Sequence, residues 1–187
     1  LSAYIGTVLL GLLLVLIMYS CIVFFLARRS PLAFLKDIRA AQILAFSTSS
    51  SAATMPLSLE IAEEKLKIHP EVARFVIPMG TTINMDGTAI YQVIAALFLA
   101  QVFGIDLSLV QMLVLSVTII GASIGSPGSP GVGLVILASI LTSIGISAEG
   151  VAMILAVDRI LDMCRTTINV TGDLTAAAVM EKSMVIK

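Results

Sequence analysis

Six polar residues recur along the last apolar stretch of the chain: Asp158, Asp162, Arg165, Thr166, Asn169 and Asp173. At about 100° per residue of α-helix, their spacing confines them to an arc of roughly 100°. The other face is Ile, Leu, Val, Met and Ala. Carboxylates on such a stripe suit an ammonium or a metal cation, and a guanidinium matches a carboxylate through two parallel hydrogen bonds. A second group, Asn84-Met85-Asp86-Gly87-Thr88, puts three oxygen-bearing side chains within five residues. Gly87 inside a helix costs about 1 kcal/mol relative to Ala and points to local unwinding, which frees carbonyl oxygens. Carbonyls with Asn and Asp oxygens suit hard cations such as Na⁺. A third group is the pair of breaks at Ser47–Thr54 and Gly125–Gly133. A helix N-terminus at such a break carries free donors and partial positive charge, which attract a carboxylate.

Each group also has a plainer reading. The stripe could be an ion-pair ladder of Asp158 and Asp162 with Arg159 and Arg165. That accounts for the charges but leaves Thr166, Asn169 and the matching Asn84 without a role. The segment around Gly87 could be a kinked helix packed through its glycine. The second break could be a surface loop, but apolar flanks at 114–120 and 132–140 place it at membrane depth. A charged side chain at mid-bilayer costs about 2.5–3.5 kcal/mol on insertion scales, so the stripe must face protein or a wet cavity.

The elements that position these groups follow from hydropathy and charge. Residues 1–29 predict a transmembrane helix, ended by Arg28, Arg29 and Pro31. Residues 32–67 predict a first re-entrant hairpin, 70–103 a broken transmembrane helix carrying the Asn-Met-Asp-Gly-Thr group, 107–147 a second re-entrant hairpin, and 149–182 an amphipathic transmembrane helix. Lys and Arg cluster between 28 and 74 and are absent from 75 to 158. The positive-inside rule then places the ends near 28–40 and 60–74 in the cytoplasm, and the turns at 104–108 and 144–150 outside. Each hairpin thus starts and ends on one side. Thr81-Thr82-Ile83-Asn84-Met85-Asp86-Gly87-Thr88 is echoed by Thr166-Thr167-Ile168-Asn169-Val170-Thr171-Gly172-Asp173, each copy after a hairpin, with the hairpins entering from opposite faces. Inverted repeats with broken hydrophobic segments at matching positions mark a transporter binding site. The fold class is an all-α membrane protein built on this inverted repeat.

Composition agrees. The chain is 58% hydrophobic and 12% charged, where soluble domains carry about 25% charged residues, and its mean hydropathy is +1.08. A net charge of −1 offers no patch for nucleic acid. The two cysteines, Cys21 and Cys164, lie in apolar stretches and read as packing residues. His69, beside Pro70 in a charged stretch, reads as a solvated loop residue, so the serines at 49–51 lack an evident base. The chain opens at Leu1 without a basic n-region or a cleavage pattern and reads as a piece from inside a longer protein.

At these motifs the chain resembles the C-terminal core of the dicarboxylate/amino acid:cation symporter family, the glutamate and aspartate transporter homologues. The matches are 49–56 for hairpin one, Thr82 to Thr88, 123–131 for hairpin two, and Asp162-Met163-Cys164-Arg165-Thr166 with Asn169-Val170-Thr171-Gly172-Asp173. They run in order across essentially the whole chain. The resemblance implies an elevator-type transport-domain core that moves against a scaffold not in this chain, in a homotrimer in the plasma membrane. Hairpin two is the extracellular gate in that family. It implies substrate contacts at Ser49, Ser51, Thr88, Ser129, Gly133, Asp162, Arg165, Thr166 and Asn169. Arg165 would grip the side-chain carboxylate, Asp162 the amino group, and Asn169 would help with the main carboxylate. Sodium positions implied are Gly80, Asn84, Asn169 and Asp173 for one ion, Thr82, Ser123, Ile124 and Ser126 for a second, and Asn84 with Asp86 for a third. No cofactor is expected beyond these coupling ions.

The chain also departs from the family pattern. Ala52 stands where many members have a fourth serine, and Ser126 replaces a common threonine. Some archaeal members carry arginine at the position of Ser49; Arg159 is the residue here that could supply a similar charge. Gln92 stands where potassium-coupled animal members have an acid. The expected function is sodium-coupled symport of acidic amino acids, not an enzymatic one. A proton-coupled C4-dicarboxylate carrier is the alternative, with Asp162 as discriminator because only an ammonium needs an anion. An intramembrane protease using Asp86 with Asp162, or a hairpin-one serine, is remote: no Gly-x-Gly-Asp motif and no intramembrane histidine is present.

Overall fold

The computed structural model describes residues 1–143, 145–146 and 148–185; Ile144 and Ser147, within the expected turn 144–150 and hairpin 107–147, and the terminal Ile186 and Lys187 lie outside the described residues. All regular structure among the described residues is α-helical: α1 (Ser2–Phe25), α2 (Pro31–Thr48), α3 (Ser51–Glu64), α4 (Pro70–Ile83), α5 (Asp86–Val102), α6 (Leu109–Ser123), α7 (Val132–Ser143) and α8 (Ala148–Val185).

Local chemistry sets the boundaries. α1 has 24 residues and no charge, and its buried residues Tyr4, Val8, Leu12, Val15, Tyr19 and Val23 recur every three or four positions. Its opposite face is equally apolar, with Leu9, Leu10, Leu13, Leu14 and Ile17 exposed. Such a helix needs lipid or further protein around it. α2 begins with Pro31 in the first turn and ends where Ser49 turns left-handed, at φ 53°. Ser50 restarts the chain as the N-cap of α3, its hydroxyl accepting the Ala53 N–H at 3.1 Å. α6 opens on a reciprocal capping box of Ser108 and Gln111. α4 and α5 are separated at Asn84–Met85. The unwinding expected around Gly87 thus falls two residues earlier, and Gly87 lies in the first turn of α5.

α8 is the axis of the molecule. Its 38 residues reach about 57 Å at 1.5 Å per residue. It packs against α1, α2, α3, α4, α5 and α7. Two apolar cores lie along it. One joins Tyr4–Tyr19 of α1, α5, α6 and α7 to the first half of α8, through Leu161 and Ile168. The other joins the end of α1, α2, α3 and α4 to Val170, Leu174, Ala177 and Ala178. The polar stripe of α8 runs through the region where the two cores meet.

The two copies of the sequence echo take different forms. Thr81–Thr88 spans the break between α4 and α5, whereas Thr166–Asp173 remains continuous helix within α8. They nevertheless touch: the Asn84 side-chain amide donates to the Asn169 carbonyl at 3.1 Å, and the Gly87 N–H donates to Asn169 Oδ1 at 2.8 Å.

Candidate functional site

The stripe on α8 is buried throughout. Asp158, Asp162, Arg165, Thr166, Asn169 and Asp173 are each between 2% and 7% exposed. Arg159, which the ladder reading included, is exposed, and among the described residues it forms no ion pair. It is not among the residues that line the cleft with Ser49. The guanidinium of Arg165 is instead shared by the two aspartates: Nε donates to Asp162 Oδ1 at 2.9 Å, and Nη1 lies 3.6 Å from Asp158 Oδ1. Its Cζ sits 4.2 Å from the centroid of the Tyr91 ring, a cation–π contact. Neither Nη1 nor Asp158 Oδ1 has a closer hydrogen-bond partner, so the contact with Asp158 is a loose ion pair beside the tight one with Asp162.

Every residue expected to meet substrate lines one cleft. Ser49 and Ser51 come from the α2–α3 junction, Thr88 from α5, Ser129 and Gly133 from the α6–α7 junction and the start of α7, and Asp162, Arg165, Thr166 and Asn169 from α8. Met85, Pro127 and Gly128 complete the lining. Ser49 holds a left-handed backbone, a conformation that costs a non-glycine residue about 1–3 kcal/mol. Its hydroxyl is buried without a partner. Asn169 is fixed from both ends: its Oδ1 accepts from Gly87, and its amide donates to Thr88 Oγ1 at 3.1 Å and meets Met85 Sδ at 3.3 Å. Gly87 and Gly133 allow the close approach. A Cβ at 87 would lie 2.6 Å from the Arg165 carbonyl, and one at 133 would crowd the Arg165 guanidinium at 3.2 Å.

The cleft is shut. It leaves a space of about 20 Å³, room for about one water. The α6–α7 junction and the start of α7 close it and are tied to five residues. Gly128 O accepts from Ser50 Oγ at 2.8 Å and from Ala52 N at 3.2 Å; Gly125 N donates to Thr82 O at 2.8 Å; Gly131 N donates to Asp162 Oδ2 at 3.2 Å; Gln92 Nε2 donates to Gly133 O at 2.7 Å. The two hairpin tips therefore meet over Arg165 and Asp162. Ser50, Tyr91 and Gln92 have roles here that helical spacing does not reveal, since each depends on a partner more than 40 residues away.

Behind the cleft lies a web of oxygens. Asn84 Nδ2 donates to Asp173 Oδ1 at 3.0 Å, and a Cβ at Gly80 would lie 2.6 Å from the same oxygen. Gly80, Asn84, Asn169 and Asp173 thus adjoin. Thr82, through its carbonyl to Gly125, adjoins the loop that carries Ser123, Ile124 and Ser126; the Ser126 N–H donates to Ser123 O at 3.2 Å. Asn84 and Asp86 are joined by Tyr19, whose hydroxyl lies 2.7 Å from Asp86 Oδ2 and 3.2 Å from Asn84 Oδ1. Tyr19 also closes on Gly172, where any Cβ would meet the Tyr19 hydroxyl and the Asn84 amide. Sequence reading missed Tyr19, which lies on an otherwise apolar helix. No three His, Cys, Asp or Glu side chains cluster among the described residues. Amide, carbonyl and lone carboxylate oxygens suit a hard monovalent ion better than a transition metal. Asp86 and Asp162 engage different partners, Tyr19 and Arg165, and do not form a dyad.

The model of the sodium:dicarboxylate symporter family matches residues 1–183. The chain is 46% identical over 185 residues to a Caenorhabditis elegans protein named as a sodium-dependent excitatory amino acid transporter, covering 97% of this chain and 37% of that one. It is 43% identical over 183 residues to mouse excitatory amino acid transporter 3, covering 97% and 35%, and 44% identical over 182 residues to excitatory amino acid transporter 1 of Ambystoma tigrinum, covering 97% and 34%. The chain spans about a third of the length of these relatives.

Proposed function

The chain belongs to the sodium:dicarboxylate symporter family, and on that premise we propose that it is the ligand-binding core of a sodium-coupled symporter of acidic amino acids in the plasma membrane. One observation carries the reading: a guanidinium 2% exposed, paired tightly with Asp162 and loosely with Asp158, beside the α6–α7 junction.

The shut cleft contains a buried ion pair of its own. An acidic amino acid brings the complementary pair of charges. Its ammonium replaces Arg165 as the partner of Asp162, and its side-chain carboxylate replaces the aspartates as the partner of Arg165. Exchanging one set of buried partners for another avoids leaving a charge unpaired, which would cost about 3–5 kcal/mol. Asn169, Thr166 and the partnerless hydroxyl of Ser49 supply polar contacts for the main carboxylate. Because the shut space holds about one water, a ligand enters only when the α6–α7 junction lifts and its tying hydrogen bonds break. That makes hairpin two the gate.

In the bilayer, α2–α3 and α6–α7 are read as re-entrant hairpins, the first from the basic cytoplasmic end and the second from the other. The oxygens of Gly80, Asn84, Asn169 and Asp173 take one sodium as co-substrate; Thr82 with Ser123, Ile124 and Ser126 takes a second, and Asn84 with Asp86 contributes to a third. The ion sets and the cleft share Asn169 and the Thr82–Gly125 bond, so closing the tip over substrate and closing it over sodium are one event. The whole domain moves as an elevator against a scaffold contributed by the rest of a trimeric protein.

The test is substrate affinity across a sodium titration, with choline as replacement, in the full-length protein. Affinity for aspartate or glutamate should rise with sodium. Affinity independent of sodium but dependent on pH would replace this reading with proton-coupled dicarboxylate symport.

A further inference from the structure

Far from the cleft, α1, α3 and α8 finish together at the basic end of the molecule. A cavity of about 180 Å³ lies between them, lined by Ala27, Arg29, Lys67, Ala178, Glu181 and Lys182. Three cations thus face one carboxylate. Glu181 offsets one of these charges but pairs directly with none: its Oε2 accepts the His69 N–H at 2.9 Å, and among the described residues it forms no ion pair with Arg29, Lys67 or Lys182. Arg29 is anchored, with Nη2 donating to the Leu66 carbonyl at 2.6 Å, so its guanidinium is a fixed wall with other donors to spare.

Two helices reach this place by the same turn. After α1 the Arg29 N–H returns to Val23 O at 3.1 Å around a left-handed Arg28; after α3 the Ile68 N–H returns to Ala62 O at 2.9 Å around a left-handed Lys67. Glycine is the usual residue at such a turn, because a side chain there is strained. Lysine at 67 places a charged side chain in the wall of the cavity at the expense of that strain. Immediately before the turn after α1, Phe24, Phe25 and Leu26 are more than half exposed. Exposed apolar side chains at the end of α1 therefore adjoin a cavity whose lining carries three cations and one carboxylate.

We propose that this cavity holds the phosphate of an anionic membrane lipid, whose acyl chains lie along Phe24, Phe25 and Leu26. Positive charges that crowd a partly enclosed space repel one another, and a phosphate relieves all three at once. The position suits it, since basic pockets between helices at the cytoplasmic face recognise lipid headgroups. The site is independent of the ion and substrate chemistry above, so failure of one leaves the other standing.

The experiment follows thermal melting of the full-length protein, purified in detergent and delipidated, during titration with phosphatidylglycerol, phosphatidylcholine or inorganic phosphate. Phosphatidylglycerol should raise the melting temperature and phosphatidylcholine should not. Arg29→Gln with Lys67→Gln and Lys182→Gln should weaken the phosphatidylglycerol midpoint about 100-fold, from three basic contacts. Lys67→Gln with Lys182→Gln alone, which leaves the Arg29–Leu66 bond intact, should weaken it by about 10–30-fold and guards against a misfolded triple variant. Lys36→Gln with Arg39→Gln, at the same end but outside the cavity, should leave it within about twofold. An equal loss in that control pair would reduce the effect to general surface charge and overturn the site. Stabilisation by inorganic phosphate alone, with no further gain from lipid, would overturn the lipid assignment, and so would the absence of any phosphatidylglycerol effect.

Discussion

Among the described residues Arg165 is the one cation lining the cleft, and replacing it with Cys should convert the proposed site for acidic ligands into one for small neutral amino acids. In the shut structure the guanidinium is 2% exposed, bonded to Asp162 at 2.9 Å, 3.6 Å from Asp158, and stacked on Tyr91. A ligand carboxylate that takes over this fork gains two charge-assisted hydrogen bonds of about 1.5–3 kcal/mol each. Their loss amounts to about 3–6 kcal/mol, or roughly 10²–10⁴-fold in affinity. A neutral ligand never made those bonds. Its ammonium still finds Asp162, now freed from its internal partner. Competition uptake in the full-length protein reads this directly: aspartate and glutamate should lose their hold while serine or alanine begins to compete. Removing the cation also leaves Asp158 and Asp162 buried together, with a stability cost of about 3–5 kcal/mol, so surface expression must be measured alongside. Arg165→Lys separates the effects, because it keeps a charge but not the planar fork, and should retain weakened acidic selectivity. Undiminished aspartate and glutamate uptake in Arg165→Cys would remove Arg165 from the site.

Two further substitutions probe the surroundings. Asp173→Asn takes a negative charge from the group formed with Asn84 and Gly80, 3.0 Å from the Asn84 amide; sodium dependence should shift to higher concentration, with substrate affinity largely recovered at high sodium, and an unmoved titration would take Asp173 out of the ion site. Ser50→Ala removes both the N-cap of α3 and the 2.8 Å bond to Gly128; it should destabilise the protein by about 1–2 kcal/mol and speed ligand release, and release rates equal to wild type would show that the tips do not hold each other.

Local pattern alone made much of this protein legible. The polar stripe of α8 could be read because helical periodicity is a property of neighbouring residues, and the cost of charge at membrane depth says that such a stripe must be enclosed. The break within Ser47–Thr54 was visible in a run of hydroxyl side chains, and the structure sets it at Ser49–Ser50, where Ser50 caps α3. Gly87 showed that backbone near the Asn-Met-Asp group was special, and both readings of it, unwinding and packing through the glycine, have a counterpart in the structure. The helix opens at Asn84–Met85, and the missing side chain at 87 lets α5 press against the Arg165 carbonyl.

Only the tertiary structure decided who meets whom. Nothing within α1 distinguishes Tyr19 from an ordinary buried aromatic; its role exists because the register of α1 against the α4–α5 break sets its hydroxyl beside Asp86 and Asn84. The same holds for Tyr91 over Arg165 and for Gln92 on the Gly133 carbonyl. Arg159 and Arg165 are both arginines on one helix, six residues apart, yet one is exposed and the other is buried, at 2% exposed. A helix declares its own faces through its spacing. Which neighbour covers each face, and at what height, depends on how the eight helices of the described residues pack together, and that is written in long-range contacts no local spacing records.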